Sequence, residues 1–329
     1  MAITVNSRLT DLDGMPAFQA IRGSLIHGWE KEFRGERGRR TLADLQKEHP
    51  TWNADDMVYG LRNLERAAEK EYYYPISDKS NMIHLPARRR SRDTWFLLCA
   101  GGAYGSVCTM VESLPVAARL NEMGFDCFCL NYHVADEGSF RNGLLPGALA
   151  DVASAIRMVR EGRGQFGLDQ DNYCISGFSA GGHLAAVFSE EHVLQELSSP
   201  VPRGLLLVYP LISPKTFEPG PFKDYFRTGL FGQLDTDRKE AYYEVADHVT
   251  SSYPPTCYVY CEDDDTIPKN NVRIMEESLR RCHVRNKTLC YAKGGHGFGL
   301  GSVLPGSDYI EEAAVFLLGE EKSVERRNQ

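Results

Sequence analysis

Long hydrophobic runs are missing from this chain: no window of its 329 residues approaches the roughly 20 consecutive apolar positions of a membrane span. Its opening stretch, MAITVNSRLTDLDGMPAF, also lacks the basic start and apolar follow-on of a secretory leader. The expectation is a cytoplasmic protein with no membrane partner. Positive charge is in deficit as well, with 37 Lys and Arg against 45 Asp and Glu and a formal net charge of -8. Nucleic acid and anionic lipid both require a basic face that gains by counterion release, so neither is an expected partner. A disulfide framework and a cysteine-based metal site are equally absent. The nine cysteines include the fragments Cys127-x-Cys129, Cys257-x3-Cys261 and Cys282-His283, but no C-x2-C pair with a matching distal pair, and several lie in apolar runs where a thiol behaves as a small hydrophobe. No metal is expected. There is no internal repeat and no low-complexity tract.

What is present is an ordinary globular composition, 42% hydrophobic and 25% charged, enough for one sizeable core and an appended element. From Trp95 onward, short continuous apolar runs alternate with helical patterns. The runs at 94–99, 126–132, 172–176, 204–209, 256–261 and 287–292 read as strands buried on both faces of a parallel sheet. Between them, 145–162 repeats Ala148, Val152, Ala155, Ile156 and Val159 on one helical face. Residues 71–89 read as a pair of leading strands, and 307–321 as a closing helix. The order predicts an α/β fold, a doubly wound, mostly parallel sheet flanked by helices. Two regions fall outside it. One is the helical, charged N-terminal stretch, with Thr41 and Asn53 as N-caps, and the other is a Pro-rich aromatic insertion at about 213–255. The expected division is 1–70 as a helical extension able to act as a cap, and 71–329 as the catalytic domain carrying the insertion.

Residues 174–183 read CISGFSAGGH, a G-x-S-x-G pentapeptide centred on Ser179. It follows a strand directly and opens a small-residue helix, the context in which flanking glycines let the chain bend sharply and present the hydroxyl at the sheet's C-terminal edge. A serine hydroxyl needs a base oriented by an acid, and after such an elbow the order is Ser, acid, His. His296 lies in the Gly-rich AKGGHGFG loop past the last strand; Glu262, Asp263, Asp264 and Asp265 compete as the acid. His183, one turn after the serine, is expected to pack against the sheet. The Gly-rich turn in LLCAGGAYGS supplies oxyanion donors at Gly102 and Ala103, with Ala180 after the nucleophile. It is not a phosphate loop, lacking Lys-Ser/Thr, nor a dinucleotide turn, lacking G-x-G-x-x-G.

With these motifs in hand, the chain resembles the α/β-hydrolases of the bacterial esterase/lipase group, in particular hormone-sensitive-lipase-like and acetyl-xylan-esterase-like members. The resemblance rests on AGGAYGS, LNYH, GFSAGGHLA, LVYPLIS, DDTIP and GGHGFG, in the expected order over about residues 85–320. Ala100 and Ala103 depart from the group's H-G-G-G turn, though backbone donors survive, and His133 stands where relatives often have Arg. In that group the acid stands four residues before the Pro of D-x-x-[IV]-P, which implies Asp264. The implied activity is a serine carboxylesterase for small, short-chain acyl esters, acetylated sugars or xenobiotic esters among them, with no cofactor. A peptidase or amidase, or an acyltransferase, on the same scaffold is the alternative. A remoter one makes 41–70 a nucleic-acid-binding helix-turn-helix arm with Arg34, Arg37, Arg39 and Arg40. Tyr104, Tyr132, His133 and Tyr209 are candidates for the pocket wall. Both outlying regions are expected to form a lid, with Tyr225, Phe226 and Phe231 facing the acyl group. Homo-oligomerisation stays open.

Overall fold

The computed structural model describes residues 2–21, 24–136, 138–169, 171–304, 306 and 308–319. The apolar runs become strands β1 (Tyr73–Ser77), β2 (Ser80–Leu85), β3 (Trp95–Cys99), β4 (Asp126–Asn131), β5 (Tyr173–Phe178), β6 (Gly204–Val208), β7 (Thr256–Cys261) and β8 (Asn286–Tyr291). They form one sheet in the order β1-β2-β4-β3-β5-β6-β7-β8. Pairing is antiparallel from β1 to β2 and from β2 to β4, and parallel throughout the rest. Strands β3 to β6 are buried at every residue, which is why their sequences are continuous rather than alternating. The edge strand β8 is only partly covered and carries Lys287 and Thr288.

Alternate residues of β3 serve opposite faces. Phe96 and Leu98 pack on the side of helices Ser113–Glu122 and Tyr309–Leu318, and Trp95, Leu97 and Cys99 on the side of helix Leu145–Glu161. The apolar stripe Ala148, Val152, Ala155, Ile156 and Val159 of that helix is fully covered. Strand order reverses between β3 and β5, so the ends of these two strands open a crevice at the sheet's carboxyl edge, where open α/β sheets bind ligands.

The N-terminal region packs into the core of the fold. Leu12, Phe18, Ile26, Phe33, Leu61 and Leu64 are buried in the same apolar cluster as β4 and helix Ser113–Glu122. At roughly 1.5–3 kcal/mol for each fully buried large side chain, this layer is part of the protein's core. Pro16–Ile21, Ser24–Ile26, Glu30–Phe33 and Arg37–Arg39 are short 3-10 turns, in a stretch where Pro16, Gly28, Gly35 and Gly38 disfavour longer helices. Two true helices follow. Thr41 makes a reciprocal capping box with Asp44 at Leu42–Glu48, and Asn53 caps Ala54–Ala67 through the Asp56 N–H. The second packs on helix Ser113–Glu122 so closely that a Cβ at Gly60 would come within 2.6 Å of Pro115 N, and Asn63 donates to Asn121 at 2.7 Å. One face of helix Ala54–Ala67 is covered, and ahead of it Arg37 and Arg40 pair with Glu32 and Glu48. The insertion between β6 and β7 holds helices Pro221–Phe231, Thr236–Tyr242 and Val245–His248. Among the described residues, no helix is long and apolar enough to cross a membrane.

Candidate active site

β5 ends at Phe178, and Ser179 turns the chain with φ 50° before the helix Ser179–Phe188 begins. A non-glycine residue held there costs of order 1–3 kcal/mol, which the surrounding packing must offset. Glycine makes the turn feasible. A Cβ at Gly177 would strike the Gly181 carbonyl, and one at Gly181 would strike the carbonyls of Cys99 and Ala100, where β3 ends beside the elbow.

Because β7 and β8 are neighbours, the loops that leave their carboxyl ends lie side by side and reach back to this serine. His296 Nε2 is 2.9 Å from Ser179 Oγ, and His296 Nδ1 is 2.8 Å from Asp264 Oδ2. An ionised carboxylate can only accept, so the proton of the neutral imidazole sits on Nδ1 and Nε2 is left to accept from the serine hydroxyl. The other oxygen of Asp264 accepts from the N–H groups of Thr266 and Ile267, both at 2.9 Å, and the side chain is 5% exposed. Asp263 has a different task. Its Oδ1 accepts from Gly294 and Gly295 at 3.0 and 2.8 Å, tethering the histidine loop to the acid loop. Asp265 accepts from the Thr266 hydroxyl, at 3.2 Å.

The turn after β3 runs through Gly102, Ala103 and Tyr104 with positive φ, and Gly102 and Ala103 border the same cavity as Ser179. Ala180, buried, opens the elbow helix. Two groups hold this turn from behind. Tyr132 donates to the Ala100 carbonyl at 2.7 Å. Glu112 accepts from the Gly101 N–H and, at 2.9 Å, from the Tyr209 hydroxyl, which itself accepts from Gly299 N–H at 3.0 Å. The Tyr209 ring lies 4.8 Å from that of His296. Burial pushes the Glu112 carboxyl up to about 6, opposed by the Gly101 and Tyr209 bonds and by His296. Sequence reasoning missed Glu112; its only signal was a lone charge in the otherwise apolar stretch SVCTMVESLPVAA.

The cavity over Ser179 has a volume of about 750 Å³, and its outer wall is Glu48 to Trp52 from the N-terminal region. His49 stacks on Trp52 at 4.1 Å, and Trp29 lies 6.0 Å from Trp52. None of the seven wall and lid candidates lines it, and each has a physical reason. Tyr132 and Tyr209 are buried struts of the oxyanion turn and histidine loop. Tyr104 is buried against His183, bonding its Nδ1 at 2.8 Å; burial drives that histidine down to about 3, so it is neutral. The His133 N–H donates to Asp151 on helix Leu145–Glu161, and its ring lies against Gly147. Phe231 stacks on Tyr243 and Phe226 packs near Tyr104, both inside the core, while Tyr225 is 61% exposed beside Phe140. Of the two regions expected to form a lid, the N-terminal one borders this cavity through Glu48 to Trp52, and no residue of the insertion lines it. Among the described residues, no group of three His, Cys, Asp or Glu close enough to share a metal ion lies in this cavity.

Comparison with known proteins agrees with this architecture. A family model described as the alpha/beta hydrolase fold matches residues 115–300. The chain is 26% identical over 252 residues to an acetylxylan esterase of Xylanibacter ruminicola, covering 73% of this chain and 48% of that protein, so it spans about half the relative's length. It is 25% identical over 283 residues to the esterase LipC of Mycobacterium tuberculosis, covering 80% of this chain and 68% of that one. Among solved structures, a sugar hydrolase of Lactococcus lactis superposes with a TM-score of 0.62 at 21% identity, over 76% of this chain and 98% of that one.

Proposed function

Since the chain belongs to the alpha/beta hydrolase fold family, we propose that it is a serine carboxylesterase that cleaves small, short-chain esters of polar alcohols through an acyl-enzyme. The observation that carries this reading is the continuous relay Ser179 Oγ, His296 Nε2, His296 Nδ1, Asp264 Oδ2, with its two contacts of 2.9 and 2.8 Å. Ser179 Oγ attacks the ester carbonyl as its proton passes to Nε2. The new alkoxide is met by the N–H groups of Gly102, Ala103 and Ala180. Asp264 stabilises the imidazolium, which then returns the proton to the departing alcohol oxygen. Water, deprotonated by the same Nε2, attacks the acyl-serine; collapse releases the acid and returns the proton to Ser179.

The substrate class is argued from the cavity. Glu48, Glu112, Asp263 and Asp265 border it, and burying a long alkyl chain against carboxylates would desolvate them without compensation. The Trp52 and His49 rings offer a flat apolar plate beside polar groups, which suits the two-faced surface of a sugar ring. The likeness to an acetylxylan esterase supports the same choice. Peptidase, amidase and acyltransferase chemistry on this scaffold are the rivals. A panel of p-nitrophenyl esters of graded chain length, anilide analogues and acetylated xylo-oligosaccharides separates them. Acetyl and propionyl esters are expected to be the best substrates, with anilides at least a hundredfold poorer. Faster cleavage of the anilides, or a preference for long acyl chains, overturns the reading.

A further inference from the structure

Away from the catalytic cavity, the residues just after the elbow helix meet the end of the insertion. Glu190, His192 and His248 each bring one potential ligand atom to within 4.8 Å of the others. The Glu190 side chain is 0% exposed, and neither of its carboxylate oxygens has a hydrogen-bond partner among the described residues. His192 Nε2 lies 3.4 Å from its Oε2. Buried carboxylates without partners are rare, because the desolvation cost is not repaid, and a bound cation is one of the few groups that repays it.

The two imidazoles are held in place as metal-binding histidines commonly are. His192 Nε2 lies 3.1 Å from the Tyr242 carbonyl and His248 Nε2 lies 2.9 Å from that of Ala241. A carbonyl accepts from a ring N–H, fixing the tautomer and leaving the lone pair on Nδ1. The rings lie 4.7 Å apart, and Tyr242 packs edge-on to His192 at 4.5 Å.

We propose that Glu190, His192 and His248 form a zinc-class divalent-metal site that ties the insertion between β6 and β7 to the segment following the catalytic helix. Two imidazoles and one carboxylate suit zinc and its neighbours in the transition series rather than calcium or magnesium, which take all-oxygen shells. Tetrahedral ligands at about 2.0–2.1 Å from the ion stand roughly 3.3 Å apart. The group therefore closes by at most about 1.5 Å on binding, a movement available to His192 and His248, which are both only partly buried. Water completes the fourth position. The cysteine spacings that argue against a metal are irrelevant here, because E-x-H is too short a motif to notice and His248 joins it only through the fold.

The test uses the full chain carrying Cys290→Ser, which removes the exposed thiol as a competing ligand. After EDTA treatment and dialysis it is titrated with Zn²⁺ by calorimetry, with metal content measured after re-dialysis. One equivalent is expected to bind, with Tm rising by about 4 °C when zinc exceeds its Kd a hundredfold. Glu190→Gln and His248→Ala should each weaken binding at least tenfold and abolish the Tm rise; Co²⁺ in place of Zn²⁺ should give tetrahedral visible bands that both variants lose. Absence of saturable binding in the parent, or binding and bands that survive both substitutions, overturns the site.

Discussion

Asp264→Asn is the sharpest probe of the catalytic arrangement, because Asp264 uses both of its oxygens. One accepts from His296 Nδ1 at 2.8 Å, the other from the N–H groups of Thr266 and Ile267 at 2.9 Å each. An asparagine has a single acceptor. If it serves the two turn N–H groups, the amide NH₂ faces Nδ1, and the imidazole must move its proton to Nε2, where it can no longer accept from Ser179. By analogy with the same change in another serine hydrolase, kcat falls about 10⁴-fold, close to 5.5 kcal/mol. If instead the amide oxygen turns to the histidine, the turn loses its acceptor at about 0.5–1.5 kcal/mol per bond, and the loss appears as a lower Tm. Asp263→Asn behaves differently. Its remaining oxygen still accepts from Gly294 and Gly295, but bonds to a charged group are worth about 1 kcal/mol more than neutral ones. A fall in stability of roughly 1–3 kcal/mol is expected, with kcat reduced tenfold or less through a looser histidine loop. Asp265→Asn should be close to neutral. Steady-state hydrolysis of p-nitrophenyl acetate and thermal unfolding by circular dichroism, run on all three variants, read out both quantities. An Asp264→Asn enzyme within tenfold of wild type and with an unchanged Tm, or an Asp263→Asn enzyme as crippled as Asp264→Asn, would refute the assignment.

Three further outcomes follow from the same geometry. Ser179→Ala should lower kcat on the order of 10⁶-fold with the far-UV spectrum unchanged; retention of a tenth of the activity removes Ser179 from the mechanism. Glu112 has its carboxyl raised from 4.5 to about 6, so the folded state binds its proton more tightly than the unfolded one. The stability this contributes is complete below pH 4.5 and is lost as pH rises to about 6, a drop of about 2 kcal/mol. The Tm of Glu112→Gln relative to wild type should therefore climb across that interval, and a flat difference would show that Glu112 keeps its ordinary titration. Trp52→Ala should raise KM for an acetylated xylo-oligosaccharide by about 2–10-fold, the worth of one aromatic contact, and leave p-nitrophenyl acetate nearly unaffected; equal effects on both substrates would remove Trp52 from the alcohol side of the cavity.

Local pattern made the strands, their burial on both faces and the major crossover helices legible, because a continuous apolar run of four to six residues between turn signals has few other solutions. Thr41 and Asn53 announced their helices for a similar reason: a cap acts on N–H groups two or three residues away. Ser179 and His296 could be picked out as motifs in chain order, since each follows a strand that its own neighbourhood declares, whereas the choice of Asp264 among four adjacent acids rested on the resemblance. Other properties depend on which strands lie side by side. The sheet order sets β3 against β5, β5 against β6 and β7 against β8, and that arrangement brings Tyr209 to Glu112 and gives Asp263 the histidine loop to hold. Aromatic residues near the motifs looked like pocket wall, but a ring beside a catalytic loop is as readily buried beneath it, and composition does not distinguish the two. The N-terminal region reads as an appendage because its 3-10 turns carry no clear period. Its apolar side chains nevertheless complete the core, and its Trp52 closes the cavity, because contacts between residues dozens to hundreds of positions apart are decided by packing and leave no trace in local sequence.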